Sequence, residues 1–297
     1  QRHNTITMNA VSQSIPGDTF KWIKVANPIY AFARYTMGYG FFEGEHNGYD
    51  DQGCRHKRTL LSLGGELVVI LDHVRVTRSS LSLLSRFHFG EGRIERIGEG
   101  LFRFNSKRKA GDWYAGFIVT GGESIDTLQS EIYPDYNYSC PAPLIELKDD
   151  EIRDDRLIMT FLGKDRDIVG GFQFEEKSWL KGRSSRSAYL MKWNRIPGSQ
   201  PSDLHVDNEI SVYAATGDRQ FFLLRNDNVV RDAKSGVHLE IPSKVPFMAV
   251  LIDNGTMRIE SDVEVGELFF SGRIDRIFAS GGEKEFRWVN GRILIER

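Results

Sequence analysis

The chain has 297 residues, 40% of them hydrophobic and 27% charged, which is enough to bury the core of one large domain or two smaller ones. Its formal net charge of −2 lacks the basic excess that marks nucleic-acid binders, so any anionic ligand has to be met by local positive charge. Two cysteines, Cys54 and Cys140, are too few for a disulfide framework and leave either one bridge or two thiols; no run approaches the roughly 18 apolar residues of a spanning helix.

Short runs rich in β-branched and aromatic residues occupy 29–35, 58–63, 66–74, 81–89, 113–120, 157–162, 168–174, 188–193, 210–214, 220–224, 247–252, 256–260 and 292–296. Turn residues separate them at intervals of roughly 8–12 residues, the rhythm of a sandwich. Gly64-Gly65, Asn254-Gly255 and Asn290-Gly291 each sit between apolar runs and predict hairpins, because Gly and Asn tolerate the positive φ of two-residue primed turns. Residues 82–89 approximate the alternation of a strand with one wet face. Segment 147–156, with Lys148-Asp149-Asp150-Glu151 and Asp154-Asp155-Arg156, reads as a charged, solvated loop. Residues 194–208 concentrate loop formers and predict a boundary. The expected fold class is all-β: a large antiparallel β-sandwich over residues 1–195, then a smaller β domain or a continuation of the sandwich over 205–297.

The chemistry-bearing residues lie near the start. Residues 3–7 read His-Asn-Thr-Ile-Thr, 43–49 read Glu-Gly-Glu-His-Asn-Gly-Tyr, and His56-Lys57-Arg58-Thr59 is followed by Leu67-Val68-Val69-Ile70-Leu71-Asp72. Strand alternation puts Arg55 and Lys57 on one face and His56 and Arg58 on the other. A loop carrying Glu45 and His46 beside that strand would offer hydrogen bonds to sugar hydroxyls, and an arginine fork matches a carboxylate. The competing reading is a set of cross-strand ion pairs on a solvated face.

The order and spacing of these segments resemble the C-terminal β-domain of the heparinase II/III-like polysaccharide lyases over about residues 1–90. Phe87-His88-Phe89 and Tyr133, Tyr136 and Pro143 extend the resemblance to about residue 165. It implies a lyase that cleaves uronic-acid-containing polysaccharide by β-elimination, with this β-domain as one wall of the cleft. The main proton-transfer residues would sit on an α-helical toroid preceding it in a longer polypeptide, so the chain alone is expected to be inactive. It further implies His3 as one ligand of a zinc ion in the intact parent. The substrate-binding set would be Glu45, His46, Tyr49, His56 and Arg58, the partners an anionic polysaccharide and the toroid, and the location periplasmic or extracellular. No nucleic-acid partner is expected.

The alternatives are a non-catalytic carbohydrate-binding or assembly module, and a glycoside hydrolase using Glu43 and Glu45, which needs two carboxylates facing a cleft. Tyr133, Tyr136 and Tyr138 read either as packing over a sandwich end or as a sugar-stacking loop. His73 and His88 read as structural, His205 and His238 as having no recognisable company. Cys54 and His56 share a face but lack a third group for nucleophilic chemistry.

Overall fold

The computed structural model describes residues 4–17, 21–77, 80–108, 111–119, 121, 124–135, 138–176, 179–185, 187–195, 208–232, 236–279 and 282–296. The chain divides into two compact units, Gln1–Gly170 and Gly171–Arg297. The described residues are almost wholly β, the one α-helix among them being Arg166–Gly170.

In the first unit the strands are β1 (Ile6–Met8), β2 (Ile15–Pro16), β3 (Trp22–Lys24), β4 (Pro28–Thr36), β5 (Tyr39–His46), β6 (Cys54–Leu63), β7 (Leu67–Val76), β8 (Leu81–His88), β9 (Gly92–Gly98), β10 (Leu101–Ser106), β11 (Asp112–Val119), β12 (Ser124–Asp135), β13 (Tyr138–Ile152) and β14 (Arg156–Gly163). Eight form one antiparallel sheet in the order β4-β5-β6-β7-β14-β11-β10-β9, and four form a second, β1-β8-β13-β12. One apolar cluster draws on both: Ile6 and Met8, Leu83 and Phe87, and Ile145 and Leu147 from the smaller sheet meet Ile70, Val74, Phe102, Phe117 and Ile158 from the larger. The two sheets therefore form the expected sandwich.

The second unit repeats that architecture. Its strands are β15 (Gln173–Glu176), β16 (Trp179–Arg183), β17 (Ser187–Arg195), β18 (Asn208–Thr216), β19 (Arg219–Arg225), β20 (Asp227–Asp232), β21 (Val237–Val245), β22 (Met248–Asp253), β23 (Thr256–Ser261), β24 (Glu267–Phe270), β25 (Arg276–Ala279), β26 (Gly282–Lys284), β27 (Phe286–Val289) and β28 (Arg292–Ile295). They form a nine-stranded sheet, β15-β16-β17-β18-β19-β22-β23-β25-β26, and a five-stranded one, β20-β21-β24-β28-β27. Phe222, Leu224, Met248 and Val250 from the first pack with Val230, Leu239, Leu268 and Ile293 from the second.

Three expectations need correction. The boundary lies at Gly170/Gly171 and not in 194–208, because β17 and β18 on either side of that segment are antiparallel neighbours, Arg195 opposite Asn208. Residues 168–174 are not one strand: the Asp165 carboxylate accepts hydrogen bonds from the Asp167 and Ile168 backbone N–H groups at 2.9 and 3.2 Å, capping a short helix, α1 (Arg166–Gly170). The start of the 147–156 segment is strand β13 rather than a solvated loop; Leu147 and Ile152 are fully buried.

The hairpins fall where Gly and Asn predicted. Asn254 (φ 48°) and Gly255 (φ 72°) join β22 to β23, and Asn290 (φ 50°) and Gly291 (φ 80°) join β27 to β28. Gly64 and Gly65 also take positive φ, but Leu63 pairs with Leu67, so Glu66 belongs to that turn as well.

Candidate functional site

The β6–β7 turn sets the site. With Leu63 opposite Leu67, counting back along both strands puts Arg58 opposite Asp72, Lys57 opposite His73 and His56 opposite Val74. On the other side of β6, His46 of β5 faces His56 and Glu45 faces Lys57. Glu45 and His46 therefore lie at the end of a strand, not in a loop.

Alternation sorts these side chains onto two faces. One carries Glu43 and Glu45, buried at 2% and 5% exposure, with Lys57 Nζ 2.8 Å from Glu43 Oε2 and Arg55 Nη1 3.2 Å from Glu45 Oε1. These are the cross-strand ion pairs anticipated as the alternative, although the carboxylates are buried instead of solvated. Both carboxylates are committed to cations, which removes the acid–base pair a glycoside hydrolase would need.

The opposite face carries His56, Arg58 and Asp72. Asp72 is wholly buried; Arg58 donates from Nε to Oδ1 at 2.6 Å and from Nη2 to Oδ2 at 2.8 Å, while His56 Nε2 lies 2.7 Å from Oδ1. Burial alone would push the carboxyl up, but the charge of Arg58 and the bonds from His56 and Arg58 hold it down at about 2. Arg58 Nη1 also donates to the Asn4 carbonyl oxygen at 2.6 Å. The fork expected to meet a uronate is thus closed on Asp72, and Arg58 chiefly fastens β6, β7 and the segment before β1.

The Glu-Gly-Glu-His-Asn-Gly-Tyr stretch has a local reason at almost every position. A Cβ on Gly44 would lie 2.8 Å from the Phe42 ring, so glycine lets that ring lie along the strand. Gly48 donates its N–H to His46 Nδ1 at 3.0 Å, and a Cβ there would meet the Gln13 carbonyl oxygen at 2.8 Å. Asn47 exchanges hydrogen bonds with the Asn27 backbone, Oδ1 accepting at 2.8 Å and N–H donating at 3.1 Å. Tyr49 is fully buried and its hydroxyl donates to the Ile6 carbonyl. Burial, then the Cys54 thiol, raises the Tyr49 phenol above its ordinary range. Tyr49 is therefore a packing residue, not the substrate contact anticipated.

These elements enclose a cleft of about 480 Å³. Asn4, Thr5, Gln13, Ala26 and Pro28 line it from one side; Tyr30, Ala31, Phe42, Gly44, Glu45, His46, His56 and Arg58 complete it. Four of the five anticipated binding residues thus converge on one cavity beside the Asn4-Thr5 segment. His3 lies outside the described residues. Of the lining residues, His46 and His56 each carry a buried nitrogen without a hydrogen-bond partner, Nε2 and Nδ1 respectively, and the two rings stand edge to face with centroids 5.5 Å apart. Burial, followed by the positive charges of His56, Arg58 and Lys24, lowers His46 to about 4, so its imidazole is neutral at ordinary pH.

Sequence reasoning missed Asp72, Phe42 and Gln13. Asp72 was out of reach, since a two-residue Gly64-Gly65 turn would set Leu71 opposite Arg58 and only the turn that includes Glu66 sets Asp72 there; Phe42 and Gln13 become neighbours only through the sandwich. Among the described residues no group of three or more His, Cys, Asp and Glu is arranged to hold a metal; His3, the anticipated zinc ligand, lies outside them, and no chemistry is derived through a metal. Cys54 and Cys140 are both buried free thiols. His73 Nε2 lies 3.5 Å from Asp155 Oδ2. His238 has company after all, with Nε2 3.0 Å from Glu240 Oε2 and its ring 4.2 Å from that of Phe269. Tyr133 is half exposed and bonds Glu131; Tyr136 and His205 lie outside the described residues.

Fold and site together define a β-sandwich protein with a largely apolar cleft lined by two histidines that each carry a buried nitrogen without a hydrogen-bond partner. Residues 1–146 match the family Heparinase II/III-like, C-terminal, and this part of the chain is a heparinase II/III-like C-terminal domain. Among solved structures, the chain is similar to the Heparinase III-BT4657 gene product at 10% identity and a TM-score of 0.45, covering 72% of this chain and 28% of that one. It is similar to the heparan sulfate lyase HepC from Pedobacter heparinus at 8% identity and a TM-score of 0.46, covering 75% and 30%. A Heparinase III structure matches at 11% identity and a TM-score of 0.46, covering 74% and 29%. The chain thus spans less than a third of the length of each. No curated protein sequence matches it.

Proposed function

We propose that this chain is the β-domain of a polysaccharide lyase acting on uronic-acid-containing polysaccharide by β-elimination, and that the cleft beside His46 and His56 forms one wall of the substrate path. The observation that supports this reading is the convergence of Glu45, His46, His56 and Arg58, from segments that resemble the lyase family, with Asn4 and Thr5 on a single cavity. In this reading the groups that take the proton α to the uronate and protonate the leaving oxygen come from a preceding α-toroid, His3 contributes to a zinc site in the intact parent, and the protein works in the periplasm or outside the cell. Elimination leaves an unsaturated product that absorbs in the ultraviolet. The 297-residue chain alone should produce no such absorbance on uronic-acid polymers, should bind their oligosaccharides, and should support turnover once joined to a toroid. Failure to bind any such oligosaccharide would sink the reading.

One observation favours a non-catalytic carbohydrate-binding module instead: Glu43, Glu45 and Arg58 are all committed to ion pairs. Binding without turnover in the toroid-bearing protein would decide for that module.

A further inference from the structure

We propose that the cleft is a hydroxyl-recognition subsite, in which His46 and His56 act as a donor–acceptor pair for one hydroxyl of a sugar ring. The proposal rests on the glycan-cleft reading above and adds what the cleft selects. His46 Nδ1 accepts the Gly48 N–H at 3.0 Å, which places the imidazole proton on Nε2. His56 Nε2 lies 2.7 Å from Asp72 Oδ1, an oxygen that accepts, so in the singly protonated ring the N–H sits on Nε2 and the lone pair on Nδ1. The two nitrogens left over, one a donor and one an acceptor, are the buried atoms without a partner on these rings.

A hydroxyl fits this pair because its single oxygen both donates and accepts. Both rings line the same cleft, edge to face with centroids 5.5 Å apart, so one small group can stand beside both. A carboxylate or sulfate only accepts: it would satisfy His46 and set its charge against the His56 lone pair. A metal ion needs lone pairs on both nitrogens, and His46 carries its proton there. The charge of Arg58 is answered by Asp72 at 2.6 and 2.8 Å, so the cleft presents little net attraction to an anion. Phe42, Ala31 and Pro28 supply apolar wall, which suits the C–H face of a pyranose. The subsite therefore takes a ring with a free hydroxyl and disfavours one sulfated at that position.

The test uses the 297-residue chain with ¹⁵N-labelled histidine, titrated with an unsulfated uronate-containing tetrasaccharide, its fully sulfated counterpart and a neutral glucan tetrasaccharide. The unsulfated uronate sugar should bind and shift both the His46 Nε2 and the His56 Nδ1 resonances, and the sulfated one should bind at least about tenfold more weakly, the scale of one lost hydrogen bond. His46→Phe should weaken binding by about the same factor, whereas His46→Gln, which keeps an N–H donor at that reach, should restore most of it. Where His46→Phe fails to fold, the imidazole shifts of the unaltered chain decide. If no saccharide perturbs the protein, the glycan-cleft reading falls and this proposal with it. If saccharides perturb the backbone around the cleft but leave both imidazole nitrogens unmoved, or the sulfated sugar binds as tightly, only the hydroxyl assignment is overturned.

Discussion

Arg58 and Asp72 are register partners on adjacent strands, joined by two hydrogen bonds of 2.6 and 2.8 Å around a carboxylate with no solvent exposure. Removing one member of a buried pair leaves the other charge uncompensated, which typically costs about 3–5 kcal/mol, more than the pair itself contributes. Against a total stability of roughly 5–15 kcal/mol, that is a large fraction.

Arg58→Ala should therefore act first on the fold. Urea denaturation should show a loss of about 3–5 kcal/mol. Arg58→Lys should recover only part of it, because an ammonium cannot reproduce the fork. An alanine variant within about 1 kcal/mol of the parent, the scale of an exposed ion pair, would mean that Asp72 is compensated in some other way.

Gly48 is a second point of leverage. An added Cβ would lie 2.8 Å from the Gln13 carbonyl oxygen and 2.9 Å from His46 Nδ1, so the chain has to shift and the Gly48 N–H to His46 bond should loosen. Gly48→Ala is expected to cost about 1–3 kcal/mol, the range for overpacking, and to change the tautomer balance of His46 in imidazole ¹⁵N spectra. An unaltered His46 spectrum would show that the N–H does not fix that ring.

Much of this was legible in the sequence, and what was not has particular causes. The Asn-Gly hairpins could be read because positive φ at two successive positions demands those residue types. Strand β5 was read in part as a loop because Gly40, Gly44, Glu43 and Glu45 have poor strand propensity; it is a strand because β4 and β6 pair with it on both sides. The prolines and acids of β13 hid a strand in the same way, one that pairs with both β8 and β12. At the site, alternation correctly put His56 and Arg58 on one face. It could not say that Arg58 would spend its charge on Asp72, since that needed the register across the Gly64-Gly65 turn. Tyr49 looked like a binding residue from its motif alone; its burial against Ile6 arises only when the two sheets close.

Cys54 should be inert in the folded protein. Burial, and then the negative charges of Asp50 and Asp51, push its thiol up to about 12, and the thiolate is the reactive form. A disulfide reagent at pH 8 should leave Cys54 unmodified in the native state and label it readily in denaturant, with peptide mapping to separate it from Cys140. Rapid native labelling at Cys54 would show that this corner of the sandwich opens.

Stability should fall with pH in two separable windows. His46 is lowered from 6.5 to about 4, by burial first and then by His56, Arg58 and Lys24. Between those values the unfolded chain binds a proton that the folded chain refuses, so stability is fully present above about 6.5 and declines as pH falls toward 4. Asp72 is held at about 2 against 3.8, Arg58 and His56 outweighing its burial. Its contribution is present above 3.8 and is lost as pH falls toward 2, again because the unfolded state takes up the proton first. Thermal melts at constant ionic strength should therefore be level from pH 8 to 7 as far as these two groups are concerned, decline below about 6.5, and decline further below about 4. His46→Gln should abolish its share of the first decline and leave the second in place. Equal losses between pH 6.5 and 4 in parent and variant would assign the first window to another group.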